Sequence, residues 1–204
     1  VTMADLDVVK PYFRSRSARA ILAEAGIELL APGGEHVHAD LPIVVPQIRS
    51  QLRQSERRII IDVGGDDVGA RVLGSFAEAL SGHEYALNIV LNANRPFTDT
   101  AEGAATVIGE IETSSRLKVT GLVSNTHLMN ETTAEVILEG HQMCRETGVR
   151  LEIPVAAACV HASMLGEIDE EGLGCPRLAL RRIAISPHEL NIQQRTSGPL
   201  FVVN

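Results

Sequence analysis

Aromatic side chains are scarce in this sequence. It contains four Phe, two Tyr and no Trp among 204 residues, although 45% of the residues are hydrophobic. The interior of the folded chain must therefore be built from aliphatic side chains. The sequence also lacks any apolar run approaching the roughly 18 residues of a membrane-spanning helix, and its first residues lack the basic and apolar regions of a secretory signal. We therefore expect no membrane association.

Basic residues are fewer than acidic ones, and the cysteines show no paired arrangement. The formal net charge is −8 and the isoelectric point is about 5.4, which argues against a general nucleic-acid-binding protein. The three cysteines, Cys144, Cys159 and Cys175, are odd in number, widely spaced and without a CxxC motif. This pattern is typical of free thiols in a reducing cytoplasm rather than of a disulfide scaffold.

What the sequence does contain is a strong strand–turn–helix pattern. Ile59–Ile61 and Val63 flank one acid, Asp62, and the glycines Gly64 and Gly65 follow at once. A β-branched run of this kind is typical of a parallel strand buried on both faces. The glycines allow positive φ and the close approach of an anion to backbone N–H groups. The pattern is that of a phosphate-and-magnesium site, and it is also that of an ordinary βα turn.

Strands alternate with helices along most of the chain. The spacing predicts an α/β fold with right-handed crossovers and one mostly parallel, twisted sheet in a single domain, residues 1–204. After Cys159 the pattern weakens, so residues 159–204 are expected to form a less regular C-terminal extension. The predicted strands are 1–7, 27–31, 59–63, 85–92, 117–124, 151–157 and 199–204, and the predicted helices are 18–25, 43–52, 68–80, 101–113, 131–147, 161–165 and 176–182.

Polar side chains occur at the carboxyl ends of four predicted strands. Open α/β sheets bind their ligands at this edge, so we expect one shared site there, although Asp and Asn also favour turns for local reasons. The residues are Asp5 and Asp7, Asp62, Asn92 and Asn94, and Asn125.

In the order of these motifs the chain resembles the deviant-Walker branch of P-loop NTPases, which includes the MinD/ParA ATPases, the nitrogenase iron protein and the CobQ/CobB group. The segment Val1–Asp7 is similar to the family strand that ends in Asp-x-Asp. The segment Ile61–Gly65 resembles the Walker B strand running into switch II, and Val123–Asn125 resembles the strand end that contacts adenine. The resemblance extends from Val1 to about Ala157 and implies a three-layer fold with helices on both faces of the sheet.

The resemblance also implies roles for individual residues. Asp7 would orient the attacking water, and Asp5 would be the neighbouring acid near magnesium. Asp62 would hold magnesium through water, and Gly64 and Gly65 would sense the γ-phosphate. Asn125 would contact the base. Lys10 is not matched by the resemblance, but its basic segment could face a phosphate or an acidic partner. ATP and magnesium would be the ligands of the complete protein, which would act as a homodimeric switch with a further, unidentified protein partner.

One departure from the family is large. No G-x-x-x-x-G-K-[ST] motif occurs in the sequence, so the loop that cradles the phosphates and its lysine are missing. In the family this loop precedes the Asp-x-Asp strand by on the order of 30 residues. We expect a piece of a longer protein whose missing strand lies between the Val1 and Ile59 strands. The alternative is a degenerate domain in which those two strands pair directly.

Function therefore divides into two hypotheses. The first is an ATP-dependent switch that hydrolyses Mg-ATP only when the complete protein supplies the phosphate loop, because Lys10 alone cannot replace it. The second is a non-catalytic α/β scaffold or protein-interaction module. A dinucleotide-dependent oxidoreductase is disfavoured, since no G-x-G-x-x-G follows a strand.

For the basic segment and for the histidine pair, the sequence also allows or favours a role other than ligand binding. Lys10 belongs to a basic segment that could also be a solvated helix start. His36 and His38 lack a third strong ligand for a metal.

Overall fold

The computed structural model describes residues 1–7, 18–31, 41–52 and 58–181. These residues form an α/β protein whose described strands all pair in parallel and make two sheets. The chain divides into two compact units, with Val1–Gly64 in the first and Gly65–Arg181 in the second. The parallel α/β architecture expected from the alternation of strands and helices is confirmed. The strands occupy two sheets where a single sheet is predicted.

The first unit contains a three-stranded sheet with the order β2-β1-β3. Strand β1 pairs with β2 from Thr2 opposite Glu28 onward, and with β3 from Thr2 opposite Ile59 to Asp5 opposite Asp62. In chain order the elements are β1 (Thr2–Asp5), α1 (Arg19–Glu24), β2 (Glu28–Leu30), α2 (Leu41–Leu52) and β3 (Ile59–Asp62).

The direct pairing of β1 with β3 corrects the expected position of a missing strand. All four residues of each strand are in register, so no strand can lie between them. The backbone groups that the predicted gap would have left unpaired are already hydrogen-bonded, which removes the cost of an open gap at that position. The other side of β3 has no strand neighbour among the described residues.

The second unit contains a four-stranded sheet with the order β4-β5-β6-β7. A 3₁₀ turn at Met129–Glu131 follows the second of these strands, and another at Ala162–Met164 follows the third. The elements are α3 (Asp67–Gly74), α4 (Ala77–Leu80), β4 (Asn88–Leu91), α5 (Ala101–Ser115), β5 (Gly121–Ser124), α6 (Ala134–Leu151), β6 (Val155–His161), α7 (Glu170–Leu173) and β7 (Arg177–Leu180).

The core of the second unit is aliphatic, as the shortage of aromatic residues requires. One cluster joins α5 and α6 to the sheet through Leu91, Ile108, Leu122 and Met143. A second cluster joins α6 to β6 and α7 through side chains that include Ile137, Ala158, Val160 and Leu173. Because side chains alternate along a strand, these residues identify the sheet face on which α5 and α6 pack.

Local signals placed several helix ends correctly. The Thr100 hydroxyl accepts a hydrogen bond from the Gly103 N–H at the start of α5, as expected for an N-cap. Gly26 follows α1 with φ of 70°, the left-handed conformation of a glycine after a helix. Helix α6, predicted over residues 131–147, begins at Ala134, continues to Leu151 and is capped by Glu152.

One predicted helix is a strand. The segment predicted to be helical at residues 176–182 contains strand β7, because its apolar residues pair in register with β6. Helix α2 begins at Leu41, two residues before the predicted start, so that Pro46 lies inside the helix beyond its first turn, where proline usually disturbs a helix. Among the helices that the structure describes, none is long and apolar enough to cross a membrane.

Candidate functional site

The acids expected to hold magnesium lie side by side in the first unit. Asp5 and Asp62 are register partners at the ends of the neighbouring parallel strands β1 and β3. Strands in a sheet are about 4.8 Å apart, and paired residues of a parallel ladder project from the same face. The Asp5 side chain is fully buried, whereas Asp62 is half-buried. The fold therefore brings two carboxyl groups together at the carboxyl end of one sheet.

The third acid of this group lies just beyond the strand end. The Asp7 backbone N–H donates a hydrogen bond to Oδ1 of Asp5 at 3.2 Å, and the Leu6 N–H donates to the carbonyl of Asp62 at 2.8 Å. The chain thus continues alongside β3 after β1 has formally ended. Asp5, Asp7 and Asp62 consequently belong to the same edge of the sheet, which we call the acidic rim.

The glycine turn after β3 does not use left-handed backbone. The described glycines with positive φ are Gly26, Gly82 and Gly174, so Gly64 and Gly65 adopt ordinary conformations here. A Cβ added at Gly65 would meet no atom within 4 Å. The space around Gly65 is therefore open enough for a ligand or for movement of the backbone.

Helix α3, which follows this turn, already has an acid at its N-terminus. The Asp66 carboxylate accepts a hydrogen bond of 2.8 Å from the Gly69 N–H. Asp67 forms an ion pair with Arg71 and accepts a hydrogen bond from the Ser114 hydroxyl. These acids compete with any anion for the positive end of the helix. Any phosphate near the turn would therefore have to bind the glycine backbone ahead of α3.

The amide residues expected to contact a base lie in the second unit. Asn92 follows β4, and Asn125 follows β5, the neighbouring parallel strand. The Asn125 N–H donates to the carbonyl of Leu91 at 2.8 Å, and the Ala93 N–H donates to the Thr126 hydroxyl at 3.0 Å. We call the edge formed by these two strand ends the amide rim.

The two asparagines of the amide rim differ in what their side chains do. The Asn92 amide accepts a hydrogen bond from the Asn94 N–H at 2.9 Å and donates to the His127 carbonyl at 3.4 Å, so its role is structural. The half-buried Asn125 side chain makes no hydrogen bond with any residue in the described part of the chain. Its donor and acceptor remain available to a ligand.

Sequence reasoning missed two residues of the amide rim. Thr126, whose hydroxyl joins the loops after β4 and β5, is a conventional loop residue with no distinguishing signal. Phe97 is 79% exposed and has φ of 70°. The one available signal was that Phe97 is among only six aromatic residues in the sequence.

Three residues singled out in the sequence, Lys10, His36 and His38, lie outside the residues that the structure describes. Across residues 1–7, 18–31, 41–52 and 58–181, no three His, Cys, Asp or Glu side chains are grouped so as to hold a metal ion by themselves. The expectation that both rims serve one ligand remains a prediction.

The three cysteines are interior side chains. All three are free and buried. Burial, together with the nearby Cys175, raises the pKa of the Cys144 thiol to about 12, and burial raises the pKa of Cys159 to about 11. Since the thiolate is the reactive form, neither residue is suited to nucleophilic chemistry near neutral pH.

Comparison with known proteins identifies no relative. No family model matches the chain, and neither a curated protein nor a solved structure is significantly similar to it.

Proposed function

We propose that this chain is the switch-bearing part of a Mg-ATP-dependent ATPase of the MinD/ParA type, with its strands in a three-layer α/β arrangement. The observation that supports the proposal most directly is the register pairing of Asp5 with Asp62 at the carboxyl ends of parallel strands. Two carboxyl groups on register partners can both direct oxygen atoms towards one bound divalent cation. Carboxylate oxygen is also a preferred ligand type for magnesium.

The residues of the acidic rim would then have separate tasks. Asp62 would hold magnesium through water, with Asp5 as its neighbouring acid, and Asp7 would orient the attacking water. When bound, magnesium supplies neutralisation of the charge that develops on the phosphates. The backbone N–H groups of Gly64 and Gly65 would report the γ-phosphate.

The phosphate loop must come from a further βα unit, because this sequence has none. In the proposal, the strand of that unit pairs with the side of β3 that has no strand neighbour among the described residues. Its loop would then end beside Asp62. Ile60, which is 55% exposed in β3, would be covered by the same unit. ATP, a second copy of the chain and a further protein would be the partners.

The test uses a longer version of the protein that includes its upstream residues. We expect a glycine-rich loop with a lysine there, and Mg-ATP hydrolysis that Asp7→Ala abolishes while ATP binding persists. Asp62→Asn should weaken the dependence of binding on magnesium. Asp99→Asn, which changes an exposed acid of the second unit, is the matched control and should leave both properties intact. Full turnover by Asp7→Ala would exclude the role assigned to that residue.

A second candidate function is a non-catalytic scaffold or interaction module. The direct pairing of β1 with β3 favours it, because a domain that has lost its phosphate-loop strand is expected to close up in this way. Calorimetric titration of the longer protein with Mg-ATP separates the two functions. Measurable heat of binding supports the ATPase, and its absence supports the scaffold.

A further inference from the structure

Helix α3, which follows the glycine turn, is packed unevenly along its length. The side chains that it buries, Ala70 and Leu73, lie beyond its first three residues. Among those three, Asp67 is exposed, Val68 is 48% exposed and the buried Gly69 has no side chain to pack. Because buried apolar surface is the main stabilising contribution to packing, the end of α3 is fixed more firmly than its start.

The end of α3 is in close contact with the end of α5. A Cβ added at Gly74 would lie 2.8 Å from the Ser114 carbonyl oxygen and 3.2 Å from that of Ser115. The Arg116 guanidinium donates a hydrogen bond of 2.6 Å from Nη2 to the Gly74 carbonyl. A charged donor makes a strong hydrogen bond, and backbones packed this closely leave little room for sliding. We call the contact of Gly74 with Arg116 the pivot.

The start of α3 is joined to α5 by a more exposed contact. The Ser114 hydroxyl donates a hydrogen bond of 3.1 Å to Oδ1 of Asp67. The same oxygen accepts a hydrogen bond from Nε of Arg71, and the Asp67 side chain is 57% exposed. Water can therefore replace the Ser114 hydroxyl at little cost. We call this hydrogen bond the latch.

A groove beside the latch gives the start of α3 room to move. The groove has a volume of about 730 Å³, with Asp66 and Asp67 on one side and residues of α5 between Thr106 and Ser114 on the other. The backbone that enters the helix is also unobstructed, since a Cβ added at Gly65 would meet no atom within 4 Å. The start of α3 thus has a weak attachment and open space, whereas its end has neither.

We propose that α3 is a lever, which tilts about the pivot when the latch opens and so carries movement of the Gly64–Gly65 turn to α5. This inference rests on the proposed function, in which that turn reports the γ-phosphate, and it adds the element that moves. Conformational switches commonly confine their backbone changes to a few residues at the ends of elements and move the element between them as a rigid body. In the tilt, Asp67 leaves Ser114 while Gly74 keeps its contact with Arg116.

The first test is amide hydrogen exchange of this chain, measured by NMR without nucleotide. Ser114→Ala removes the latch and should raise the exchange rates of the Gly69 and Ala70 amides roughly 2- to 12-fold, the value of one hydrogen bond of ordinary net strength. The amides of Ser75 and Phe76, next to the pivot, should keep their rates. A uniform rise along α3, or no rise at Gly69 and Ala70, would overturn the lever.

Thr113→Val is the matched control for Ser114→Ala. It removes the hydroxyl of the adjacent residue, which donates to the Gly109 carbonyl within α5 and not to α3. The exchange rates of α3 should be the same as in the unmodified chain. A rise at Gly69 and Ala70 in this variant as well would mean that any disturbance of α5 loosens α3, and the latch would have no special role.

The second test locks the latch in the longer protein that carries its upstream residues. Asp67→Cys combined with Ser114→Cys places two thiols at the latch, and diamide oxidises them to a disulfide with the loss of two hydrogens, which mass spectrometry detects. The lock should stop Mg-ATP hydrolysis, spare ATP binding and be reversed by dithiothreitol. Asp67→Cys alone, treated in the same way, is the control for oxidation of the buried native cysteines.

Full hydrolysis by the locked protein would overturn the lever. If the longer protein binds no Mg-ATP at all, the proposed function fails instead. The exchange pattern of Ser114→Ala then still decides whether α3 pivots at Gly74, because that measurement needs no nucleotide.

Discussion

The two units are built on the same parallel strand geometry but finish their strands with different chemistry. In the first unit, the rim carries the carboxyl groups of Asp5, Asp7 and Asp62. In the second, it carries the amides of Asn92 and Asn125. The backbone places each of these residues at the carboxyl end of a strand, and residue type alone decides whether that end suits a cation or a hydrogen-bonding ring. Similar scaffolds in one chain can therefore differ in the chemistry that each offers at its strand ends.

The units also differ in how their strands are covered. In the second unit, α5 and α6 pack their aliphatic side chains on the sheet and form a continuous cluster. In the first, β3 has a strand neighbour on one side only among the described residues, although its sequence, Ile59–Ile61, is typical of a central strand. The described part of the second unit thus has a continuous aliphatic core over its sheet, and the described part of the first shows a strand whose sequence suits a more central place than the one seen.

The largest loss of stability is expected for Gly140→Ala in α6, which tests whether the second unit is tightly packed. An added Cβ would collide with the Thr126 side chain, whose Cγ2 would be 2.5 Å away. Overpacking of this kind costs about 1–3 kcal/mol in the free energy of unfolding, which urea denaturation can measure. Hydrogen exchange should show the loss of protection in α6 and β5.

Gly109→Ala in α5 provides the control, since a Cβ there meets nothing within 4 Å. It should be neutral or stabilise the helix by about 0.5–1 kcal/mol. Equal loss of amide protection in β1 and β3 of the Gly140→Ala variant would mean that the two units unfold as one, and the contrast between them would fail.

An effect of intermediate size is expected on the stability of the second unit at alkaline pH. All three buried cysteines lie in this unit, and a buried thiol resists losing its proton. Burial and Cys175 raise the pKa of folded Cys144 from 9.0 to about 12. The unfolded thiol loses its proton first, so the free energy of unfolding falls as pH rises between these values, by up to about 1.4 kcal/mol per pH unit. Cys144→Ala should show a shallower fall in urea titrations between pH 8.5 and about 10.5. An identical slope would show that Cys144 does not titrate as described.

The smallest effect is expected in the first unit, for Thr2→Val in β1. The Thr2 hydroxyl donates a hydrogen bond of 3.2 Å to the Glu28 carboxylate on β2. Because Glu28 is exposed and can be hydrated instead, the loss should be only about 0.5–1 kcal/mol in urea denaturation. Thr120→Val, which removes the hydroxyl that accepts from the Leu87 N–H beside β4, gives the equivalent measurement in the second unit. A cost above about 2 kcal/mol at Thr2 would show that water does not replace the lost hydrogen bond to Glu28.

The sequence predicted those features of the fold that depend on local chemistry. The isoleucine run of β3, the Thr100 cap and the left-handed Gly26 each follow from the preferences of one short segment. Prediction from the sequence failed where pairing between segments distant in the chain determines the secondary structure. Residues 176–182 have no strong local preference, and pairing with β6 makes part of them a strand.

The candidate site also has features that follow from local sequence and features that depend on long-range pairing. The polar strand ends were visible from the sequence, because Asp62 directly follows an apolar run and Asn125 is separated from one by Ser124 alone. Their partners were not, since the register of β1 with β3 depends on which strands are neighbours. The positive φ of Phe97 was also invisible, because it belongs to a folded turn that includes the Thr98 hydrogen bond to the Asn92 carbonyl, and no local sequence signal marks it.

The position of β3 has a practical consequence for handling the purified protein. Strand β3 contains three consecutive isoleucines, the exposed Ile60 among them, and has no strand neighbour on one side among the described residues. It also contains none of the lysines or prolines that normally discourage strand-to-strand addition between molecules. Where no other segment of the protein covers this border, concentrated samples should self-associate through it and form oligomers whose size grows with concentration. Replacing Ile60 with lysine would place a charge on β3 that opposes strand pairing between molecules, and should keep solutions monodisperse.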